Sequence, residues 1–393
     1  MTAQDARPRP WCVLGAATAL TAPVGALYAF SIFLRPLEEL LGLGRADLAL
    51  VFAIAAAGFG VGMMLAPAVY GVASAPWLVA GCAVANTLGI AVAACAQSLL
   101  ELAVGYGLLF GMGGGAAYIL VQQMVNLTVT GHHGLVNGYI VSLLPVGAVI
   151  AAPTFGWAIS AFGVRAALGG FAATLALTGL ASVWLTARAQ VTLSGAALHV
   201  KLADGERRTA VFWRLSLVFF LAASAGLMVL SQAAGIIAAY GGAGRLAVYG
   251  TTAITATIAV ARLGGGWMVD WLAIPTIAAA ANAIALAGHV VLTLWPAPGV
   301  AVAALALVGL GYGLVSGLTA AAVAAYWRRA VYGRVASRVY LAWCAAAIVL
   351  PIVAGRLFDL THGYGAAVLI AAGGNALGVL VALGLPRQVP SAR

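Results

Sequence analysis

The chain has 393 residues, of which 64% are hydrophobic and only 7% charged, whereas a soluble domain carries roughly a quarter charged residues. Water cannot solvate most of such a surface, which excludes a soluble enzyme or binding module. The net charge of +10 has no soluble basic face to occupy, so nucleic acid is excluded as a partner.

Apolar runs of about 20 residues, enough to cross a hydrocarbon core of roughly 30 Å, predict spans at 11–35, 47–70, 77–97, 101–128, 134–160, 164–187, 210–238, 246–270, 273–295, 298–324, 336–358 and 364–386. The first follows a short polar stretch and is too long for a signal-peptide core, so it reads as an uncleaved span. It contains GALYAFSIFLRPLEEL (25 to 40), with the Tyr28 phenol near mid-depth. The second, ALVFAIAAAGFGVGMMLAP (49 to 67), does not alternate in polarity as a barrel strand would. Helices are then the only structure that satisfies the backbone in lipid.

The fourth span holds GMGGGAAYILVQQM (111 to 124). Its glycines resemble part of a dinucleotide fingerprint but follow no strand, so they read as close helix packing. Tyr118 and Gln122, one turn apart, bring a phenol and an amide to mid-membrane. Asn126 begins a sequon at a cytoplasmic membrane edge, where no glycan is added, and His132 and His133 fall in a short solvated loop. Cys12, Cys82, Cys95 and Cys344 are scattered among different apolar runs and read as small buried hydrophobes. No metal-ligand set, cofactor motif or nucleophile with a base is present, so neither a cofactor nor an enzyme is expected.

The polar connection ARAQVTLSGAALHVKLADGERRT (187 to 209) divides the spans six and six. The expected organisation is an N-terminal six-helix bundle over 1–187, a cytoplasmic linker over 188–209 and a C-terminal six-helix bundle over 210–393. With an even number of spans, thirteen basic residues fall on the side of the termini and linker (Arg7, Arg9, Arg188, Lys201, Arg207, Arg208, Arg214, Arg328, Arg329, Arg334, Arg338, Arg387, Arg393) and five on the other. The positive-inside rule then puts both termini in the cytoplasm, in an inner membrane.

The eighth span carries TATIAVARLGGGWMVD (255 to 270). Arg262 lies eight residues before Asp270, so at 1.5 Å per residue it is roughly 12 Å inside the membrane. A guanidinium there costs at least about 2.5–3.5 kcal/mol and marks a functional site by default. No Asp or Glu stands at comparable depth in any predicted span. An anionic ligand is the simplest partner, since the planar fork of Arg matches a carboxylate. Asp270 and the bases Arg334 or Arg338 before the eleventh span carry opposite charges at the same membrane boundary, and are expected to form a gating contact.

The halves also repeat. Gly111, Gly113 and Gly115 reappear as Gly309, Gly311 and Gly313, and Pro153 as Pro351, all at one offset of 198 residues. Two parallel six-helix repeats with a site at mid-membrane are the layout of major facilitator transporters, which work by alternating access. The run with Gly25, Tyr28, Phe30, Ser31, Phe33, Pro36, Leu37 and Glu38 resembles the first helix of that superfamily's oxalate/formate antiporter and monocarboxylate transporter group. Phe212 to Val229, the spacing of eight between Arg262 and Asp270, and the stretches YLAW and LPIVAGRLFDLTHGYG are similar to the same group.

The resemblance implies twelve helices in two pseudo-symmetric bundles and a carboxylate held by Arg262 with Tyr28 and Tyr118, Gln122 lying one turn away. Members that carry oxalate have a Lys in the eleventh helix, but LAWCAAAIVLPIVAG (341 to 355) has none. A monoanion is therefore expected. Ile258 replaces the Asp that precedes the arginine in proton-coupled members, and PAVYGVASAPW (67 to 77) lacks the acid and bases usual in that loop. The expected partners are the bilayer, a small organic anion, and a coupling proton or counter-transported anion, with the protein a monomer. The competing expectations are efflux of a larger amphiphile and a non-transporting membrane receptor or assembly protein.

Overall fold

The computed structural model describes residues 9–193, 208–242, 244–361 and 363–387. Arg7, Lys201, Arg207 and Arg393 of the expected basic side, and most of the 188–209 linker, lie outside the described residues. Twelve helices long and apolar enough to cross a membrane are found among the described residues: α1 Pro10–Leu41, α2 Arg45–Val69, α3 Ala75–Cys95, α4 Leu99–Thr128, α5 His133–Phe162, α6 Val164–Ala189, α7 Thr209–Met228, α8 Arg245–Val269, α9 Ile274–Leu294, α10 Pro298–Tyr326, α11 Arg329–Phe358 and α12 Gly365–Leu383. The protein is an all-helical, multi-pass membrane protein.

Local chemistry shapes individual helices. Prolines stand in the first turn of α3, α9 and α10, where their missing amide would be unpaired anyway. Pro23 lies inside α1, and from Gly25 to Phe33 the helix tightens into a 3-10 form. Tyr28 sits in this altered stretch. Ala103–Phe110 of α4 is wound as a π-helix directly before Gly111. A stretch of this kind turns the face that follows it, which here carries Tyr118, Gln122 and Gln123.

The chain divides into two compact units. Unit 1 comprises residues 1–130, 143–201 and 328–338; unit 2 comprises 131–142, 202–327 and 339–393. These are not contiguous halves: the first turns of α5 group with unit 2 and those of α11 with unit 1. Inside unit 1, α4 packs on α1, α2 and α3, and α6 on α1 and α3. Inside unit 2, α10 packs on α7, α8 and α9, and α12 on α7 and α9. The second set is the first with six added to each helix number.

Helix-to-helix contact in lipid depends on close approach rather than on apolar drive. At Gly115 of α4, a Cβ would fall 1.9 Å from the Phe59 carbonyl oxygen of α2. At Gly317 of α10 it would fall 1.8 Å from the carbonyl oxygen of Arg262 on α8. Only glycine permits that second approach, and it brings α10 onto the turn of α8 that bears the buried cation.

Candidate functional site

Arg262 in unit 2 is 3% exposed. Its Nη2 donates to the Tyr312 hydroxyl of α10 at 2.8 Å and its Nη1 to the Val141 carbonyl of α5 at 3.3 Å. The guanidinium carbon also lies 5.3 Å from the Tyr312 ring centroid, within range of a cation–π attraction. Trp343 of α11 donates its indole N–H to the same Tyr312 hydroxyl at 2.9 Å. The ring of Tyr312 fits because residue 226 of α7 is glycine: a Cβ there would lie 2.2 Å from Tyr312 Cγ. Unit 2 thus concentrates one permanent cation and two hydrogen-bonding aromatics in a buried cluster.

Tyr312 and Trp343 are absent from the expected site residues. The repeat held a signal for Tyr312, since it stands between Gly311 and Gly313 where the first half has Gly114 between Gly113 and Gly115. Trp343 is the last residue of YLAW, which marked the resemblance without pointing to a role.

Tyr28, Tyr118 and Gln122 all belong to unit 1. Tyr28 is half-buried. Tyr118 is buried, with its ring 5.8 Å from that of Phe59. Gln122 has protein partners. Its Nε2 donates to the Tyr118 carbonyl at 3.2 Å, and its Oε1 accepts from the Tyr332 hydroxyl at 2.6 Å. The neighbouring Gln123 accepts from the Gly333 amide at 2.7 Å and donates to the Arg329 carbonyl at 2.9 Å. The two glutamines therefore hold the first turn of α11 to α4, Gln122 through its oxygen while its Nε2 bonds back to its own helix.

Asp270 likewise has partners that its sequence position did not suggest. Its Oδ1 accepts from the Gly134 amide at 2.8 Å and its Oδ2 from the Leu135 amide at 2.9 Å. These are first-turn N–H groups of α5, which have no partner inside their own helix, and a carboxylate at a helix N-terminus is also favoured by the helix dipole. Both carboxylate oxygens of Asp270 are thus taken up by main-chain amides. The expected partners Arg334 and Arg338 lie on the part of α11 that groups with unit 1, the first half-buried and the second exposed.

An apolar crevice in unit 1 is lined by Pro23, Ile150, Phe155, Trp157 and Phe171. Another in unit 2 is lined by Phe220, Met228, Leu350 and Leu357. Neither has a charged side chain in its lining, so neither competes with Arg262 as a place for an anion.

A family model described as Major Facilitator Superfamily matches residues 12–351. The chain belongs to the Major Facilitator Superfamily. It is a membrane transporter, not an enzyme. The transporter is similar in structure to the proton:xylose symporter XylE, at 14% identity and a TM-score of 0.77 over 96% of each chain. It is also similar to FucP in an outward conformation, the E. coli fucose:proton symporter, at 16% identity and a TM-score of 0.75 over 96% of this chain and 99% of that one. The human organic anion transporter MFSD10 (TETRAN) matches at 15% identity and a TM-score of 0.71, over 96% of this chain and all of its own. No curated protein sequence matches. At these identities the likeness is one of fold; membership of the superfamily is what brings transport by alternating access.

Proposed function

We propose that this transporter carries small organic monocarboxylate anions across an inner membrane, both termini being cytoplasmic, with Arg262 as the carboxylate anchor. The observation that carries this reading is the burial of a permanent cation that donates to the Val141 carbonyl and to the Tyr312 hydroxyl. A charge is costly to bury, and each group that shares it lowers the cost. A carboxylate would match it with the geometry that guanidinium binds best. The structural neighbours include sugar symporters as well as an organic anion transporter; a buried arginine favours the anion. Among the described residues Arg262 is the one buried arginine, and one such cation favours one negative charge over two.

Tyr28 and Tyr118 are the ligand contacts proposed for unit 1. Asp270, Arg334 and Arg338 are the proposed gate residues, with Asp270 acting through the start of α5. In each unit the first turn of a helix is tied to a neighbour, and releasing such ties is how the cytoplasmic end would open.

The test is uptake of labelled short monocarboxylates and of sugars into proteoliposomes. Saturable monocarboxylate flux that Arg262→Gln abolishes supports the reading. Sugar flux that is indifferent to Arg262 overturns it.

A further inference from the structure

We propose that His289 is a proton-binding site that couples transport to a pH gradient, with Asn375 as its positioning partner, in a polar seam between α9 and α12. The proposal takes its substrate from the reading above but uses none of the residues around Arg262. His289 is fully buried, and neither ring nitrogen has a hydrogen-bond partner among the described residues. A neutral imidazole carries one N–H and one bare lone pair. Buried without partners, both cost free energy, and an ionisable group inside a membrane is a functional site by default. Among the side chains described, no Asp or Glu is buried and His289 is the one buried histidine. It is thus the buried group whose unperturbed charge change falls between about pH 5 and pH 8.

The seam around it is polar in unit 2 alone. At Gly179 of α6 a Cβ would lie 2.6 Å from the Ala83 Cβ of α3; at Gly378 of α12 it would lie 2.4 Å from Asn282 Oδ1 of α9. The two contacts correspond at an offset of 199 residues, and at that offset Asn375 and His289 answer to Ala176 and Ile90. Packing at this seam therefore needs no polar group, yet unit 2 has three. Asn375 is fully buried with both amide atoms unpartnered, and Asn282 Oδ1 is unpartnered as well. Asn282 and His289 are seven residues apart, two turns along one face of α9. Asn375 and Gly378 share the buried face of α12. An odd and an even span run in opposite directions, so Asn375 falls between the levels of Asn282 and His289. A seam this close has no space for a solute, and a proton needs none. For the neutral ring the Asn375 amide has an NH2 to give to the lone pair. For the imidazolium, which has two N–H groups, the same amide has an oxygen to accept one of them.

Helix α9 packs chiefly on α10 and α12, with lighter contact to α7 and α8. No titratable side chain stands on α12; α10 has Tyr312 and Tyr326, α8 has Arg245, Tyr249 and Arg262, and α7 has Arg214. Arg262 donates to Tyr312, Tyr326 donates to the Pro386 carbonyl, and Arg214, Arg245 and Tyr249 are exposed. None of them bonds His289. The adjacent Gly288 sets α9 against α10, since a Cβ there would lie 2.6 Å from the Ala304 carbonyl oxygen. A charge gained or lost at His289 therefore acts on the helix that carries Tyr312. In one cycle the ring's lone pair takes a proton from the aqueous phase on one side, forming an N–H bond that breaks again on release at the other. One proton moved with one monoanion leaves the cycle electrically neutral.

The experiment places the full chain in proteoliposomes with labelled lactate, a short monocarboxylate, and subtracts the rate in protein-free vesicles. Exchange is measured at equal pH, and net uptake with and without an inward pH gradient. A gradient of about one pH unit should speed wild-type net uptake by up to about tenfold, the factor in proton activity. His289→Gln and His289→Ile should keep most of the exchange rate and lose the response to the gradient. Asn375→Ala should weaken that response and spare exchange; an unchanged response removes its positioning role. A wild type that exchanges lactate but ignores the gradient, or a response that survives in both His289 variants, overturns the proposal. So does joint loss of exchange and response in a variant that unfolds at the wild-type temperature, which marks a packing residue. A second measurement needs no substrate: nitrogen-15 NMR of histidine-labelled protein, with His289→Gln identifying the ring's signals. A ring that gains its second N–H between about pH 8 and about pH 5 supports the site, and a ring neutral throughout overturns it. Absence of lactate flux in every mode overturns the carboxylate reading alone, and the ring's spectrum then decides His289. If His289→Ile does not fold, His289→Gln and the spectrum suffice.

Discussion

Helices α1 and α4 of unit 1 correspond, through the repeat, to α7 and α10 of unit 2, and between the two pairs a tyrosine has changed helices. Tyr28 is on α1 and Gly114 on α4; 198 residues later Gly226 is on α7 and Tyr312 on α10. In unit 2 the glycine lies directly against the tyrosine ring, whereas a Cβ on Gly114 would meet Val24 at 2.8 Å. The pattern of helix neighbours is the same in both units, but the polar content is not. Arg262, Tyr312 and Trp343 correspond at the same offset to Met64, Gly114 and Pro145. Backbone packing follows the repeat, and the buried cation with its two aromatic partners stands in its second copy.

The largest test of that asymmetry is to remove its charge. Arg262→Gln should lower carboxylate uptake by at least about 30-fold, since losing one partner of a buried, hydrogen-bonded charge pair costs about 2–5 kcal/mol or more. Arg262→Lys should recover only part, because it retains the charge and loses the planar fork. Wild-type uptake by the Lys variant would reduce the requirement to charge alone.

A second comparison concerns how each unit ties down the start of a helix. Unit 2 uses a carboxylate, Asp270, on two amides of α5, and unit 1 uses Gln123 on the Gly333 amide of α11. The position in the first repeat that corresponds to Asp270 is Val72, so no acid was available there. Asp270→Ala leaves two amides unpaired, at about 1–3 kcal/mol each if they stay buried, and Gln123→Ala leaves one. Labelling of introduced cysteines from the cytoplasmic side should rise more in the first variant than in the second. Equal labelling in both would deny the carboxylate any special hold.

Smaller effects should follow at the exchanged glycines. Gly226→Ala pushes a methyl into the Tyr312 ring and should destabilise by about 1–3 kcal/mol, as overpacking does. Gly114→Ala crowds only the end of a Val side chain, with the Phe59 ring at an ordinary contact distance, and should cost less than about 1 kcal/mol. The comparison is read as the two shifts in unfolding midpoint, and an inverted order would mean that the Gly226–Tyr312 packing is not tight in solution. The smallest effect belongs to Tyr28→Phe and Tyr118→Phe. Each should weaken ligand affinity by about 0.5–1.5 kcal/mol if its hydroxyl bonds the ligand. Unchanged affinity in both would leave them as packing residues.

Much of this was legible from the chain alone. The twelve spans and the 198-residue repeat each depend on the match of a single segment to the bilayer, or on identity at a fixed offset. That Arg262 stands inside one of these helices was legible for the same reason: it follows from counting residues along one span.

What surrounds Arg262 was not legible. Tyr312 and Val141 are 50 and 121 residues away from it, and the Asp270 amides are 135 and 136 residues from their acceptor. In a soluble helix an apolar stripe shows which face points inward, but these helices are apolar all round and carry almost no such stripe. Sequence therefore determined which segments cross the membrane and that a charge lies buried within one of them. Only the tertiary structure decided which side chains face that charge. It also assigned Gln122 to the start of α11 and Asp270 to the start of α5, because contacts between helices in lipid depend on glycine-permitted close approach and not on a pattern along any single helix.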